Sequence, residues 1–419
     1  MRIAIIAPGS RGDVQPYLAL GKGLKDAGHD VRLLTHENFA GFVKTHQLEF
    51  WPLRGNVQEV AESQEMRELL EKGNFLAIAK FQANAAKRAA LEWAEDGMAA
   101  CADMDLLLAG IGGLYIGISL AEKLKIPLIQ AHSIPFTPTK SFPGALFPPM
   151  PLKLALVNSL SHHLTRQIMW QSSRGADKVV RQAVLGLPPA PFFGPYRSTA
   201  FENMPVLYGF SPSVIPQPAD WDADKKITGY WFLEAEDTWR PSPDLIDFLN
   251  SGPAPVYIGF GSMSNRNPEE TAELIIQAVH LSKQRAILLS GWSGLQSHDL
   301  PDSVFLLDSV PHAWLFPRVA AVVHHGGAGT TAAGLRAGVP TIIVPFFGDQ
   351  PFWGARVAAL GIGPKPIPRK ALTSENLAQA LQEAATNDAM RQRAANLGSS
   401  IQAEDGVNTA VEIIQRVRL

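Results

Sequence analysis

Short apolar runs alternate with segments of helical spacing along most of the chain. The first run, residues 2–7, is followed by a glycine-rich turn and by helical spacing over residues 15–27, which Gly28 ends. Further strands are predicted at residues 31–34, 105–109, 127–131, 256–260, 286–289, 304–307, 320–324 and 341–344. Helices are predicted at residues 114–125 and 269–282, after Gly329, and near the end of the chain. Strands that alternate with helices predict parallel, doubly wound sheets and an α/β fold.

Two proline-rich segments interrupt this pattern. Residues 133–153 interleave six prolines with Phe136, Phe142 and Phe147, which is too apolar for a loop that only meets solvent. This segment either packs on its own domain or forms a wall for a lipophilic substrate. Residues 215–243 combine prolines with three tryptophans and are interpreted as a linker.

The length of 419 residues favours two domains over one. The predicted division is an N-terminal domain (1–220), a linker (221–243), a C-terminal domain (244–400) and a last helix (401–419) that packs on either half.

The amino-acid composition limits the classes of function that are expected for this chain. Lys and Arg number 37 and Asp and Glu 39, so no field of one sign favours nucleic acid, and small-molecule chemistry is expected. Cys101 is the single cysteine, which excludes an intrachain disulfide and suits a reducing cytoplasm. No stretch reaches the roughly 20 apolar residues of a membrane helix, and the first apolar run is a strand rather than a signal peptide.

The glycine-rich segment 324–331, with the sequence HHGGAGTT, follows a predicted strand and precedes a predicted helix. Such a turn directs backbone N–H groups outward in front of the positive end of the helix dipole. It is therefore an anion site that suits a diphosphate without any metal.

A second polar segment, residues 346–350 with the sequence FFGDQ, stands at the carboxyl end of the strand predicted at 341–344. Ligands of open α/β sheets bind at these ends. Asp349 and Gln350 offer acceptors and donors that match the vicinal hydroxyls of a sugar. The alternative is that Asp349 caps the following helix.

These two segments, together with Val310-Pro311-His312, resemble the donor signature of the family 1 glycosyltransferases with the GT-B fold. The sterol 3-β-glucosyltransferase branch and bacterial antibiotic glycosyltransferases are the most similar members. Residues 9–16 (GSRGDVQP) and 227–231 (ITGYW) are similar to the same branch. The resemblance implies two Rossmann-like domains facing a cleft, with the acceptor bound by the N-terminal one and a nucleotide-sugar donor by the C-terminal one.

The resemblance also implies site residues. The histidine, the glycine-rich turn and a serine after the first strand of the second domain would hold the diphosphate. The backbone of a valine would contact the base, and the Asp–Gln pair would bind the sugar. The corresponding residues here are Ser262, Val310, His324, Gly327, Gly329, Thr330, Asp349 and Gln350. At the position where plant members have a tryptophan that stacks on the uracil, this chain has Ser309. We predict that Trp292 stacks on the base instead.

Asp13 is the predicted catalytic base. It ends the first βα turn, where a plant member would have histidine, and a carboxylate there would take the proton of an acceptor hydroxyl as the C–O bond forms. The alternatives are that Asp13 caps the helix or that His132, at the end of a predicted strand, is the base. His132 with Phe136, Phe142 and Phe147 forms the predicted acceptor site.

The predicted reaction is an inverting, metal-independent transfer of a hexose from a UDP-sugar to a lipophilic alcohol, with no cofactor. A dTDP-sugar transferase, a non-catalytic binding protein for lipids or nucleotide-sugars, and a nicotinamide oxidoreductase are the alternatives. The last fits poorly because residues 9–12 lack the full G-x-G-x-x-G pattern. Two D-x-D sequences, 103–105 and 222–224, are interpreted as chance matches to metal-dependent transferases. Peripheral membrane contact and oligomeric state stay open.

Overall fold

The first half of the chain is built on a seven-stranded parallel sheet. The computed structural model describes residues 1–55, 75–147, 154–234, 239–260, 268–289 and 300–417. The strand order is β3-β2-β1-β4-β5-β6-β7. The strands are β1 (Arg2–Ile6), β2 (Asp30–Thr35), β3 (Glu49–Pro52), β4 (Leu106–Ala109), β5 (Leu128–His132), β6 (Val206–Tyr208) and β7 (Lys225–Ile227).

The second half has a five-stranded parallel sheet in the order β10-β9-β8-β11-β12. Its strands are β8 (Val256–Gly259), β9 (Ala286–Leu289), β10 (Val304–Leu307), β11 (Ala321–His324) and β12 (Thr341–Ile343). The strands of this second sheet are short and almost entirely apolar because helices cover both of its faces. Two such sheets are the doubly wound α/β architecture that the alternating pattern predicted.

Helices fill the crossovers between the strands. In the first half they are α1 (Arg11–Asp26), α2 (Ala40–Thr45), α3 (Phe75–Cys101), α4 (Leu114–Leu124), α5 (Ala155–Val179) and α6 (Thr199–Glu202). In the second half they are α7 (Pro243–Asn250), α8 (Pro268–Ser282), α9 (His312–Leu315), α10 (Ala328–Ala337), α11 (Gln350–Ala359), α12 (Ser374–Thr386), α13 (Asp388–Gln402) and α14 (Gly406–Arg416).

Two predictions of element bounds need correction. Helix α1 begins at Arg11 rather than near residue 15, because Ser10 precedes it in an extended conformation and Asp13 accepts the Ser10 amide within its first turn. Strand β7 lies inside the segment interpreted as a linker and pairs in parallel with β6, so the first sheet extends beyond residue 220.

The last helix of the chain returns to the first half. Ala410, Val411 and Ile414 of α14 lie in the same core as the buried face of α1. A further apolar cluster joins the two halves, with Tyr208 and Phe210 from the first and Trp353 from the second. The halves are thus held together by a shared core as well as by the chain. No helix in the described ranges is long and apolar enough to cross a membrane.

Candidate functional site

The glycine-rich turn joins β11 to α10. Gly326 has a φ of +94°, and a Cβ there would meet Cγ2 of Ile343 at 2.6 Å, so this position requires glycine. Gly327 caps α10 in an extended conformation without any side-chain cap. The first amides of a helix have no acceptor within it, and here Gly329 is exposed with open space where a Cβ would stand. The first turn of α10, with Gly329 and the half-buried Thr330, is an open anion site.

The two adjacent histidines lie in different environments. His324 is fully buried, and its Nδ1 accepts the Gly326 amide at 3.0 Å. Burial lowers the pKa of His324 well below its usual range, so it is a neutral support beneath the turn. His325 is half-buried, and its Nε2 would lie 2.6 Å from a Cβ on Gly327. His325 therefore lies beside the glycine-rich turn, while the predicted phosphate ligand His324 is buried beneath it.

Asp349 and Gln350, the predicted sugar-binding pair, are held by hydrogen bonds within their own segment of the chain. Oδ2 of Asp349 accepts a 2.7 Å bond from the indole of Trp353, and the carboxylate does not cap α11. Burial raises the pKa of Asp349 to about 6 against that hydrogen bond, and the charge of Asp13 adds to the rise. Oε1 of Gln350 accepts from the amides of Phe346 at 2.7 Å and Phe347 at 3.1 Å. The side-chain nitrogen of Gln350 has no partner among the described residues and remains to donate to a ligand.

The beginning of α1 faces this loop from the other half. Oδ2 of Asp13 accepts from the amide and the hydroxyl of Ser10, each at 2.8 Å, and the side chain is exposed. The charge of Asp13 acts on Asp349, as noted above, and α1 packs against α10. Burial, together with the charges of Arg11 and His325, lowers the pKa of His312 to about 4. Asp13 and Arg11 thus border the cleft opposite the donor turn.

His132 occupies a different place. It is buried, Oε1 of Gln130 lies 3.2 Å from its Nε2, and its Nδ1 has no hydrogen-bond partner among the residues that the structure describes. Burial and the charge of Arg166 lower the pKa of His132 to about 3. Alternation along β5 directs His132 away from Ala131, which packs in the core beneath α1. A buried imidazole of such weak basicity suits a general base poorly.

The phenylalanines of the proline-rich segment differ from one another. Phe136 is buried, with its ring 5.4 Å from His132 and the Arg166 guanidinium 4.9 Å from its centroid. Phe142 packs 5.8 Å from Phe352 of α11, so it bridges the two halves. Phe147 is half-buried in a turn. For Phe136 and Phe142 the geometry favours packing over an open acceptor wall.

A cavity of about 440 Å³ lies near His132. Its lining includes Gln130, Thr137, His163, Arg166 and Tyr196. Because Gln130 points to the same sheet face as His132, the cavity lies away from α1 and is separate from the cleft between Asp13 and Asp349.

The remaining predicted residues are Ser262, Trp292, Val310 and the last prolines of the first proline-rich segment. Ser262 and Trp292 lie outside the described residues, as do Pro148, Pro149 and Pro151. Val310 is half-buried after β10 and packs beside the cluster that contains Tyr257 and Leu315.

Three of the four carboxylates in the D-x-D sequences form ion pairs. Asp103 contacts Arg32 at 2.9 Å, Asp105 contacts Arg2 at 2.6 Å, and Asp222 contacts Lys225 at 2.9 Å. Their interpretation as chance matches to metal-dependent transferases fits these contacts.

Three residues beside the candidate site were not among the predicted site residues. Arg11 stands two positions before Asp13, His325 directly after His324, and Trp353 four positions after Asp349. Helical spacing of i and i+4 could have indicated the Trp353 contact.

Two family models match the chain. Residues 3–143 match the glycosyltransferase family 28 N-terminal domain, and residues 272–417 match the erythromycin biosynthesis protein CIII-like C-terminal domain. One sterol 3-beta-glucosyltransferase of Arabidopsis thaliana is 38% identical over 98% of this chain and 65% of its own length. A second from the same plant is 36% identical over 99% of this chain and 68% of its own. The chain thus spans about two thirds of the length of these relatives.

Solved structures share the fold at lower identity. The glycosyltransferase of kitacinnamycin has a TM-score of 0.70 at 20% identity, covering 99% of this chain and 98% of that one. The Streptomyces glycosyltransferase SsfS6, complexed with thymidine diphosphate, has a TM-score of 0.64 at 19% identity over 100% of both chains. The two sheets and their cleft are therefore the GT-B arrangement.

Proposed function

Because the chain belongs to the glycosyltransferase family of these sterol 3-beta-glucosyltransferases, we propose that it transfers a hexose from a nucleotide-sugar to an alcohol. The donor is a UDP-sugar, with UDP-glucose first, and the acceptor is a lipophilic alcohol such as a sterol. The transfer inverts the anomeric centre, requires no metal, and takes place in the cytoplasm.

The observation that carries this proposal is the position of Asp13 opposite the donor loop. Asp13 comes from the first half and Asp349 from the second, and the charge of one acts on the other. With the sugar held at Asp349 and Gln350, an acceptor hydroxyl near Asp13 would meet the anomeric carbon. Asp13 would then take the hydroxyl proton as the new C–O bond forms.

The diphosphate leaves toward the first turn of α10. The amides of Gly329 and Thr330 and the positive end of the helix dipole stabilise the charge that develops on it. We propose His325 as the side chain beside the diphosphate, with His324 as the support that fixes the turn through the Gly326 amide. Attack from the face opposite the leaving diphosphate gives inversion.

A donor panel tests the proposal. A ligand at 100 times its Kd stabilises its protein by about 2.7 kcal/mol, so UDP-glucose should raise the melting temperature while GDP-glucose and NADH should not. His325→Ala is the matched site variant and should lose most of this stabilisation. A rise with NADH and none with any nucleotide-sugar would contradict the proposal.

A dTDP-sugar is the second candidate donor, because the structural neighbour SsfS6 is complexed with thymidine diphosphate. Larger stabilisation by dTDP-glucose than by UDP-glucose would favour it. Release of UDP from UDP-glucose on addition of a sterol separates an enzyme from a non-catalytic binding protein, because only an enzyme releases it.

A further inference from the structure

Helix α5 is amphipathic, but its polar face is directed inward and its apolar face is directed toward solvent. Its buried residues include the polar Asn158, Ser161, His162 and Thr165. Its outward face carries Leu156, Leu160, Leu164 and Ile168, with exposed fractions of 78%, 61%, 46% and 61%. A surface helix ordinarily places its apolar face toward the core. Here the apolar face is the exposed one.

The inward polar face has a structural task. Asn158 donates to the carbonyl of Lys140, and the ring of His162 lies 3.1 Å from the carbonyl of Phe142. The hydroxyl of Ser161 accepts the Gly144 amide at 2.8 Å. These bonds satisfy the backbone of a proline-rich loop that makes few of its own. They explain why α5 is polar inside, but they leave the leucines outside unexplained.

The outward residues form a continuous stripe. They recur every fourth position, so at 1.5 Å per residue the stripe from Leu156 to Ile168 is about 18 Å long. Of the ten large apolar side chains that are exposed in the described part of the chain, eight lie on or beside α5. The other two, Leu281 and Phe347, are in the second half of the chain. Clustering of this kind marks an interaction surface.

A turn bearing two aromatic rings extends the stripe. Phe192 and Phe193 stand in a turn whose carbonyls accept bonds from α5: Gln171 and Trp170 donate to Phe192, and Gln167 to Phe193, each at 2.9 Å. The two rings are more than half exposed. The stripe and this turn, Leu154 to Ile168 with Phe192 and Phe193, are named the docking face.

The charges beside the docking face are positive. The guanidinium of Arg174 lies 4.3 Å from the ring centroid of Phe192, and that of Arg197 lies 5.6 Å from Phe193. Residues 154–176 and 186–201 contain no aspartate or glutamate. Apolar residues bordered by arginines complement a bilayer surface that carries anionic headgroups, since the rings enter the acyl boundary and the guanidinium groups remain among the phosphates.

We propose that the docking face rests on an anionic lipid bilayer and holds the protein at the membrane surface. The inference deepens the proposed function, because a sterol-like acceptor partitions into bilayers and a surface-bound enzyme meets it there. The binding itself requires neither donor nor turnover, so it stands or fails separately from catalysis.

Sedimentation with unilamellar vesicles tests the proposal. Vesicles of phosphatidylcholine alone and of phosphatidylcholine mixed with phosphatidylglycerol are compared. The native chain should bind the mixed vesicles more tightly. Phe192→Ser with Phe193→Ser should lower the partition coefficient on both by roughly tenfold, because half-exposed aromatic rings supply much of the apolar contact. Arg174→Gln with Arg197→Gln should lower it roughly tenfold on the mixed vesicles only.

Leu281→Ser is the matched control. It removes an apolar side chain of similar exposure from α8 in the other half and should leave vesicle binding unchanged. Circular dichroism and melting temperature check that each variant folds, which is expected because the changed side chains are exposed.

Two outcomes would overturn the proposal. One is native-like vesicle binding by the double phenylalanine variant. The other is a lipid-free native dimer in sedimentation velocity that this variant converts to a monomer while neither form binds vesicles, which would assign the docking face to a second copy of the chain. Transfer of glucose to a water-soluble alcohol, measured in parallel, reports on the proposed function alone and should be the same in all variants.

Discussion

Asp13→Asn is the sharpest test of the proposed chemistry. Asparagine keeps a side-chain oxygen that can accept the Ser10 amide and hydroxyl, now bonded to Asp13 at 2.8 Å each. Because the side chain is exposed, the fold and the first turn of α1 should persist. What is lost is the basic carboxylate. A positioned general base contributes about 10²–10⁴-fold to the rate, so kcat should fall by that order while KM changes little.

The same substitution has a second readout in the other half of the chain. The charge of Asp13 is one cause of the raised pKa of Asp349, after burial. Removing that charge should lower the pKa of Asp349, so the donor keeps its charged partner at more acidic pH. Calorimetric titration of UDP-glucose across a pH series would show the midpoint of the affinity curve moving to lower pH. Kinetics come from initial rates of UDP release at saturating acceptor.

The two readouts separate catalysis from structure. A folded Asp13→Asn protein with near-native kcat would refute Asp13 as the base, and His132 would then be tested despite its burial. A loss of kcat with an unchanged pH midpoint would place Asp13 farther from Asp349 than the structure does. Asp26→Asn, at the exposed far end of α1, is the matched control and should alter neither quantity.

Four further predictions follow from the donor site. The affinity of the native protein for UDP-glucose should fall as the pH drops through about 6, where Asp349 becomes protonated. The affinity of Asp349→Asn should not change with pH over this range. An equal pH dependence of affinity in both proteins would refute Asp349 as the sugar ligand. Gln350→Glu keeps the oxygen that accepts the Phe346 amide but loses the side-chain donor, a hydrogen bond worth roughly 0.5–1.5 kcal/mol. Calorimetry should therefore show weaker binding of UDP-glucose with little change in the binding of UDP. Gln350→Ala should weaken the binding of both ligands, because the loop that Gln350 supports loses two hydrogen bonds. His325→Ala should weaken UDP binding directly, whereas His324→Ala should chiefly lower the melting temperature. The reverse pattern would assign the contact with the diphosphate to His324. Turnover in excess EDTA should equal that with magnesium, because the helix N-terminus supplies the positive potential; complete loss on chelation would count against a metal-free site.

The alternation of strands and helices was readable because the buried strands are plain apolar runs, such as residues 286–289, which form β9. Strand β7 was not readable. It is the three-residue sequence Lys-Lys-Ile, and the ammonium group of its buried Lys225 is accommodated by Asp222 and the Glu202 carbonyl. Helix α5 was missed for a different reason. Its apolar stripe follows helical spacing but faces outward, so neither its burial nor its contacts follow from the pattern.

The two candidate donor-binding segments, residues 324–331 and 346–350, could be predicted by motif, since a glycine turn and an Asp–Gln pair are local features of the sequence. Which of the two adjacent histidines is buried beneath the glycine-rich turn and which lies beside it is not a local feature of the sequence. It depends on the Gly326 amide, which turns back to His324 and leaves His325 beside Gly327. The facing of Asp13 and Asp349, 336 positions apart in the sequence, likewise depends on how the two halves pack.

The return of α14 to the first half has a consequence for how the protein is made. Domains ordinarily fold in order as they leave the ribosome, the N-terminal one first. Here the core around α1 includes Ala410, Val411 and Ile414, which are synthesised more than 380 positions after the end of α1 at Asp26. The first half therefore waits with part of its apolar surface uncovered until the second half has emerged. During that interval the surface is open to chaperones, and a ribosome that stalls before residue 406 leaves two incomplete domains rather than one finished and one absent.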